Sequence, residues 1–260
     1  MGNRLKSHEM NLVEEYKNQN SWRDWNFYVK KLPIKNNDII YDMGCSIGVV
    51  TKKLANKSYK VIGIDNNPEL IEEAQRINAA ENINYLTENL TTLNYQELPK
   101  CDGIWSSFVA SYFPNFTFIL NKWKSVLKPN GWIGIVEMSG LFSHEPLSQS
   151  SLDVFKQYYL RQCRNNSYDF KMGSKLKDFL LDCEFNIIFE DNIFDRELTF
   201  DGPAEPPIIK SWENRFDRML RFKEYVGERK FDGIKNEFLK CLADKNHKSN
   251  TIVKFIIATR

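Results

Sequence analysis

Asp42-Met43-Gly44-Cys45-Ser46-Ile47-Gly48 sets a carboxylate at the end of an apolar run and two glycines in the turn that follows. A second apolar run, Tyr59 to Ile64, ends on another carboxylate, Asp65. A strand that breaks into glycine and re-forms as a helix lets backbone approach a ligand, and an acid at the tip of the next strand can accept both hydroxyls of a ribose. These residue types in this order suit the binding of an adenosine-bearing cofactor.

The elements that must hold these residues alternate regularly. Apolar strand patterns run over Ile39 to Asp42, Tyr59 to Asp65, Ile83 to Leu86, Gly103 to Ser106 and Trp132 to Glu137. Helical patterns precede them at Leu5 to Leu32 and fill the gaps at Val49 to Asn56, Glu69 to Asn78 and Phe116 to Leu127, the last closed by Lys128-Pro129-Asn130-Gly131. Strand and helix in repetition predict a parallel sheet covered on both faces. Beyond Glu137 come helical patterns at Ser150 to Gln162 and Ser174 to Cys183, a strand at Phe185 to Phe189, helices at Ile208 to Tyr225 and Phe231 to Leu242, and a last strand at Thr251 to Ala258.

Composition narrows the function classes. The chain has 260 residues and 42% hydrophobic content, enough for one elaborated domain. A net charge of +2, from 36 basic and 34 acidic residues, gives no global field for nucleic acid or an anionic membrane. The five cysteines form no CxxC pair and no zinc spacing, no metal is expected, and no apolar stretch suits export or a membrane span, so a cytoplasmic location is expected. Nothing in the chain sets an oligomeric state.

The motifs together resemble the class I S-adenosylmethionine-dependent methyltransferases. Their Asp-x-Gly-x-Gly-x-Gly signature stands here as Asp42 to Gly48 with Ser46 in place of the middle glycine; the second-strand acid is Asp65; and the turn before strand five reads Leu127-Lys128-Pro129-Asn130-Gly131. The resemblance covers about residues 38–137. It implies an α/β, Rossmann-like fold: a seven-stranded, mostly parallel sheet with an antiparallel last strand, helices on both faces and helical lid insertions after strands five and six. It divides the chain into an N-terminal helical cover (1–36), a cofactor-binding core (37–140), a lid segment and helix (141–183), and the last two strands with a helical insertion at about 194–248 (184–260).

The same resemblance implies S-adenosyl-L-methionine as cofactor, with S-adenosyl-L-homocysteine as product. The cofactor residues it implies are Asp42, Gly44, Cys45, Ser46, Gly48, Asp65, Asn66, Asn89, Leu90 and Ser106. Free N–H groups in the glycine turn are expected to meet the methionine carboxylate, Asp65 the ribose, and the Asn89 carbonyl the adenine amine.

A nicotinamide dehydrogenase would want G-x-G-x-x-G, and glycines stand only at 44 and 48. No G-x-x-x-x-G-K-[ST] loop exists, and Ile104-Trp105-Ser106-Ser107-Phe108 lacks the Asn/Asp-Pro-Pro-Tyr/Phe motif of enzymes that methylate amino groups of bases. The expected partner is therefore a small molecule rather than nucleic acid or membrane. Two other readings stand beside the methyltransferase: a noncatalytic S-adenosylmethionine-binding protein, and an aminopropyltransferase-like relative.

Segments inserted at the carboxyl ends of parallel strands land over the ligand crevice. Tyr16, Phe108, Tyr112, Tyr168 and Trp212 are the expected substrate-binding residues. The sulfonium is already an activated electrophile, so methyl transfer to an oxygen or nitrogen needs in-line positioning and, for a protonated nucleophile, a base. His144 and Glu137 are the candidate bases, His144 because its ordinary pKa suits the task.

Overall fold

The computed structural model describes residues 6–260. Residues 1–5 of the expected N-terminal cover lie outside the described part. Seven strands form one sheet: β1 (Ile39–Met43), β2 (Lys60–Asp65), β3 (Ile83–Thr87), β4 (Cys101–Ser107), β5 (Leu127–Ser139), β7 (Asn186–Asn192) and β9 (Ile252–Thr259), in the order β3-β2-β1-β4-β5-β9-β7. β1 to β5 pair in parallel, and β9 runs antiparallel between β5 and β7. This is the Rossmann-like arrangement expected. β6 (His144–Glu145) and β8 (Lys248–Ser249) form a small antiparallel pair that the sequence patterns do not announce.

β1 and β2 are almost continuously apolar because both faces of a parallel sheet are covered. Successive side chains point to opposite faces, so Ile40 joins one core and Tyr41 the other. On Tyr41's face pack α5 (Phe116–Val126) and α7 (Met172–Asp182), through Phe116, Trp123, Leu176 and Leu180. On Ile40's face lies α2 (Trp25–Lys31), with Trp25 and Tyr28 in edge contact with Trp105. α3 (Val49–Ala55) and α4 (Pro68–Ile77) complete the core; Asn67 caps α4 by accepting from the backbone of Glu69 and Leu70.

The N-terminal helical pattern divides into α1 (Lys6–Trp22) and α2, because the Asp24 side chain caps a new helix by accepting from the Asn26 and Phe27 N–H groups. After β5 come α6 (Gln149–Arg164), α8 (Pro206–Arg218), α9 (Leu220–Val226) and α10 (Glu228–Ala243). The pattern at Ile208 to Tyr225 is thus two helices broken at Met219. Their aromatic faces meet in one cluster around Phe142, which stacks on Phe155 at 4.4 Å between ring centroids. Among the described residues no helix is long and apolar enough to cross a membrane.

Candidate functional site

The sheet order reverses between β1 and β4, and a cavity of about 1060 Å³ opens at the carboxyl ends of the strands there. Its floor carries Asp42, Gly44, Cys45, Ser46, Asp65, Asn66, Asn89 and Leu90. Tyr16, Phe108, Tyr112 and Tyr168 line the same space. The fold therefore unites most of the residues assigned to cofactor and substrate from sequence.

The glycine-rich turn is more self-contained than expected. Gly44 and Cys45 both donate N–H bonds to the Ile64 carbonyl at 2.7 and 3.0 Å, Ser46 N–H donates to Asp65 Oδ2 at 3.0 Å, and Gly48 N–H donates to the Cys45 carbonyl. These four N–H groups, expected to be free for a carboxylate, are spent on folding the turn back over the end of β2. The group left over is the Ser46 hydroxyl, which is buried without a hydrogen-bond partner. A buried unpaired hydroxyl is costly, and a ligand atom in the cavity would satisfy it.

Two glycines are required by packing. A Cβ on Gly44, at φ +80°, would lie 2.2 Å from Val109 Cγ2, and one on Gly48, at φ +77°, would lie 2.2 Å from the Tyr85 hydroxyl. Gly48 does not line the cavity; it was expected to admit the cofactor, and the space a Cβ would take belongs to Tyr85.

Asp65 is held ready for a diol. Oδ2 accepts from Ser46 and Oδ1 from Asn67 at 3.0 Å each, which leaves further lone-pair capacity on both oxygens. Burial raises its pKa, against the lowering effect of the backbone N–H groups of Asn67, Ser46 and Asn66. Asp42 beneath it is more deeply enclosed: burial pushes its carboxyl up to about 7, opposed by a 2.6 Å bond from the Thr51 hydroxyl. The unfilled Asp65 oxygens and the orphaned Ser46 hydroxyl fit S-adenosylmethionine.

Asn89 corrects one expectation. Its carbonyl oxygen accepts from the Thr91 N–H at 2.8 Å and the Thr91 hydroxyl at 2.7 Å, an Asx turn after β3. With the oxygen engaged, the amide nitrogen is the group left for a ligand.

The far wall is built from the inserted helices. Tyr112, on the single 3-10 turn Ala110–Tyr112 after β4, is 59% exposed although enclosed by the fold, since it faces the cavity. Its ring meets Tyr168 edge-on at 5.0 Å. Burial raises the pKa of Tyr16, Tyr112 and Tyr168, so all three hydroxyls stay protonated near neutrality. Phe108 adopts φ 56°, a strained conformation for an aromatic residue, and lies 4.6 Å under the Arg23 guanidinium.

Sequence reasoning missed the charged part of this wall. Arg23, Arg215, Arg218 and Arg221 all line the cavity. Arg215, Arg218 and Arg221 recur at every third position, a spacing that puts residues on neighbouring parts of a helical surface and could have drawn attention to them. Arg23 lies between α1 and α2, and nothing local marked it.

Besides Gly48, four assigned residues lie off the cavity lining. His144 sits in β6, buried and stacked on His247, with Nδ1 2.9 Å from His247 Nε2; burial first and His247 second depress its pKa to about 3. Enclosure among Trp212, Phe238 and His247 makes it a packing residue and removes it as a base facing the cavity. Trp212 is fully buried in the Phe142 cluster and donates its indole N–H to the Glu197 carbonyl, so it packs within the inserted helices. Ser106 donates its hydroxyl to the Met43 carbonyl, tying β4 to β1, while its neighbour Ser107 reaches the cavity.

Glu137 is the fourth. Its carboxylate is fully buried, accepting from Met138 N–H at 2.8 Å and Ser111 N–H at 3.0 Å, and burial pushes its pKa up to about 7. It anchors the turn that carries Tyr112, which makes it a positioning residue.

Residues 41–135 match a family model described as a methyltransferase domain. The chain is 35% identical over 49 residues to an uncharacterized methyltransferase of Schizosaccharomyces pombe, covering 19% of each protein. It is 23% identical over 120 residues to a sterol 24-C-methyltransferase of Kluyveromyces lactis, covering 44% of this chain and 32% of that one. The chain thus spans 19% and 32% of the length of these curated relatives. Among solved structures, a putative methyltransferase from Bacillus halodurans superposes with a TM-score of 0.62 over 91% of this chain and 98% of its own, at 17% identity. At that identity the likeness is one of fold.

Proposed function

We propose that this chain, whose residues 41–135 match a methyltransferase-domain model, is a class I S-adenosylmethionine-dependent methyltransferase that methylates an oxygen or nitrogen nucleophile of a small molecule held in the 1060 Å³ cavity. One observation carries this reading. A single continuous cleft joins the Ser46 and Asp65 end to a wall of tyrosines and arginines from α1, α6 and the inserted helices. A volume of this order matches a small-molecule site with cofactor, and its mixture of aromatic walls with a few polar groups is what such sites have.

S-adenosylmethionine supplies an activated methyl group, and the chain's task is to hold donor and acceptor in line. With the cofactor bound, Asp65 would accept from the ribose hydroxyls, Ser46 would offer its hydroxyl, and the Asn89 amide would be the group offered to the adenine. Tyr112 and Tyr168 confine the acceptor on the opposite side and exclude water. Neither assigned base lines the cavity, and the tyrosines stay protonated. The arrangement therefore favours transfer by positioning, with the acceptor arriving in its nucleophilic form.

The test is release of S-adenosylhomocysteine from S-adenosylmethionine across a library of phenols, amines and carboxylic acids. Product with at least one acceptor, dependent on Tyr112, supports the reading. Tight cofactor binding with no product from any acceptor class would favour the noncatalytic alternative.

A further inference from the structure

We propose that the cavity takes an acceptor bearing an oxyanion, a carboxylate or a phosphate monoester, bound by Arg215 with Arg218 and Arg221 beside it. The inference rests on the methyltransferase reading and specifies its substrate class. It starts from Glu197, whose buried carboxylate is fully subscribed: Oε1 accepts from Gln19 at 3.2 Å, Ser211 at 2.9 Å and Arg215 at 2.7 Å, while Oε2 accepts from Arg23 at 3.0 Å. Burial alone would raise the Glu197 pKa, but Arg215 and Arg23 overcome it and hold the group ionised.

Arg215 is thereby fixed by one of its N–H groups, and its Nε is buried with no partner. A guanidinium presents five donors in a rigid fork suited to carboxylate or phosphate oxygens, and a buried donor without an acceptor is costly. Glu197 already accepts four hydrogen bonds, and Asp195 is committed to Arg23 and to the backbone of its own loop. Arg218 is paired with Glu15, and Arg221 is exposed on the same cavity. Of the four guanidiniums on the cavity, Arg23, Arg215 and Arg218 are paired with Asp195, Glu197 and Glu15, and among the described residues Arg221 makes no ion pair. An oxyanion at this place would supply the acceptor that Arg215 Nε lacks and a partner for Arg221. A cationic acceptor would meet neither need.

The experiment titrates benzoate, phenyl phosphate and the neutral isostere benzamide into the protein saturated with S-adenosylhomocysteine, with affinities read by ligand-observed NMR. Either anion should bind at least about tenfold more tightly than benzamide, and the ratio of the two anions identifies the better-fitting oxyanion. Arg215→Gln should abolish that preference while S-adenosylhomocysteine affinity stays within about threefold of the parent, and Arg221→Gln, outside the buried network, should reduce it without affecting folding. Equal binding of benzamide and both anions, or a preference that survives both substitutions, would overturn the proposal. So would an Arg215→Gln protein that loses cofactor affinity, since the arginine would then serve the cofactor's own carboxylate. A parent protein that fails to bind S-adenosylhomocysteine at all contradicts the methyltransferase reading itself, a separate and distinguishable failure.

Discussion

Arg23 donates from Nε to Asp195 Oδ2 at 2.6 Å, joining the break between α1 and α2 to the loop that follows β7, 172 residues further along the chain. The same guanidinium reaches Glu197 at 3.0 Å, and it sits over the ring of Phe108. The break between α1 and α2 is thus fastened, beside the cavity, to the loop that precedes α8.

Replacing Arg23 with Met leaves Asp195 and half of Glu197 buried without their cation. Breaking a buried ion pair from one side costs about 3–5 kcal/mol. Chemical denaturation of Arg23→Met should show a loss of this order, with faster amide exchange in α1. A loss under about 1 kcal/mol would mean that water solvates this network and that the cover is not fastened here.

His144→Ala should act on stability. The ring packs against Trp212, Phe238 and His247, so truncation should cost about 3 kcal/mol, as for other large buried rings. The pH dependence has a definite sign. Above the ordinary value of 6.5 both folded and unfolded states hold a neutral ring; as pH falls from there toward about 3, the unfolded chain takes up a proton that the folded protein refuses. Stability from this group is lost across that window, and His144→Ala should show a shallower loss. Retained stability together with a hundredfold fall in turnover would restore His144 as a base.

Glu137 gives the opposite slope. Its carboxyl is raised from 4.5 to about 7, so between those values the folded protein carries a proton that the unfolded chain has released, and stability falls as pH rises. Asp42, raised from 3.8 to about 7, adds to the same trend. Melting curves of Glu137→Gln between pH 4.5 and 7.5 should be flatter than those of the parent. Because the carboxylate holds Ser111, the variant should also raise the KM for an acceptor touching Tyr112. An unchanged melting profile would contradict the burial argument.

Much of the fold was legible because a parallel sheet leaves a local signature. Ile39–Met43 and Lys60–Asp65 are mostly apolar and buried, and Asp42 and Asp65, at or next to their ends, line the cavity. The inserted helices were less legible. Periodicity in Ile208 to Tyr225 did not reveal the break at Met219, and an aromatic such as Trp212 reads alike whether it lines a cavity or fills a helical core. His144 looked suited to catalysis by residue type alone, and only its packing against His247 makes it a packing residue. The contacts of Arg23 and Glu197 join segments distant in sequence, where no short-range pattern could point to them. The spent N–H groups of Gly44 and Cys45 depend on the turn folding over Ile64, which spacing does not reveal.

The most direct measurement is a calorimetric titration of S-adenosylhomocysteine into the parent protein and into Asp65→Ala. One ligand should bind per chain. Loss of two charge-assisted hydrogen bonds to the ribose should weaken binding in the variant by about 1.5–3 kcal/mol, roughly 10- to 150-fold. No binding to the parent, or equal affinity for both proteins, would contradict the placement of the cofactor at Ser46 and Asp65.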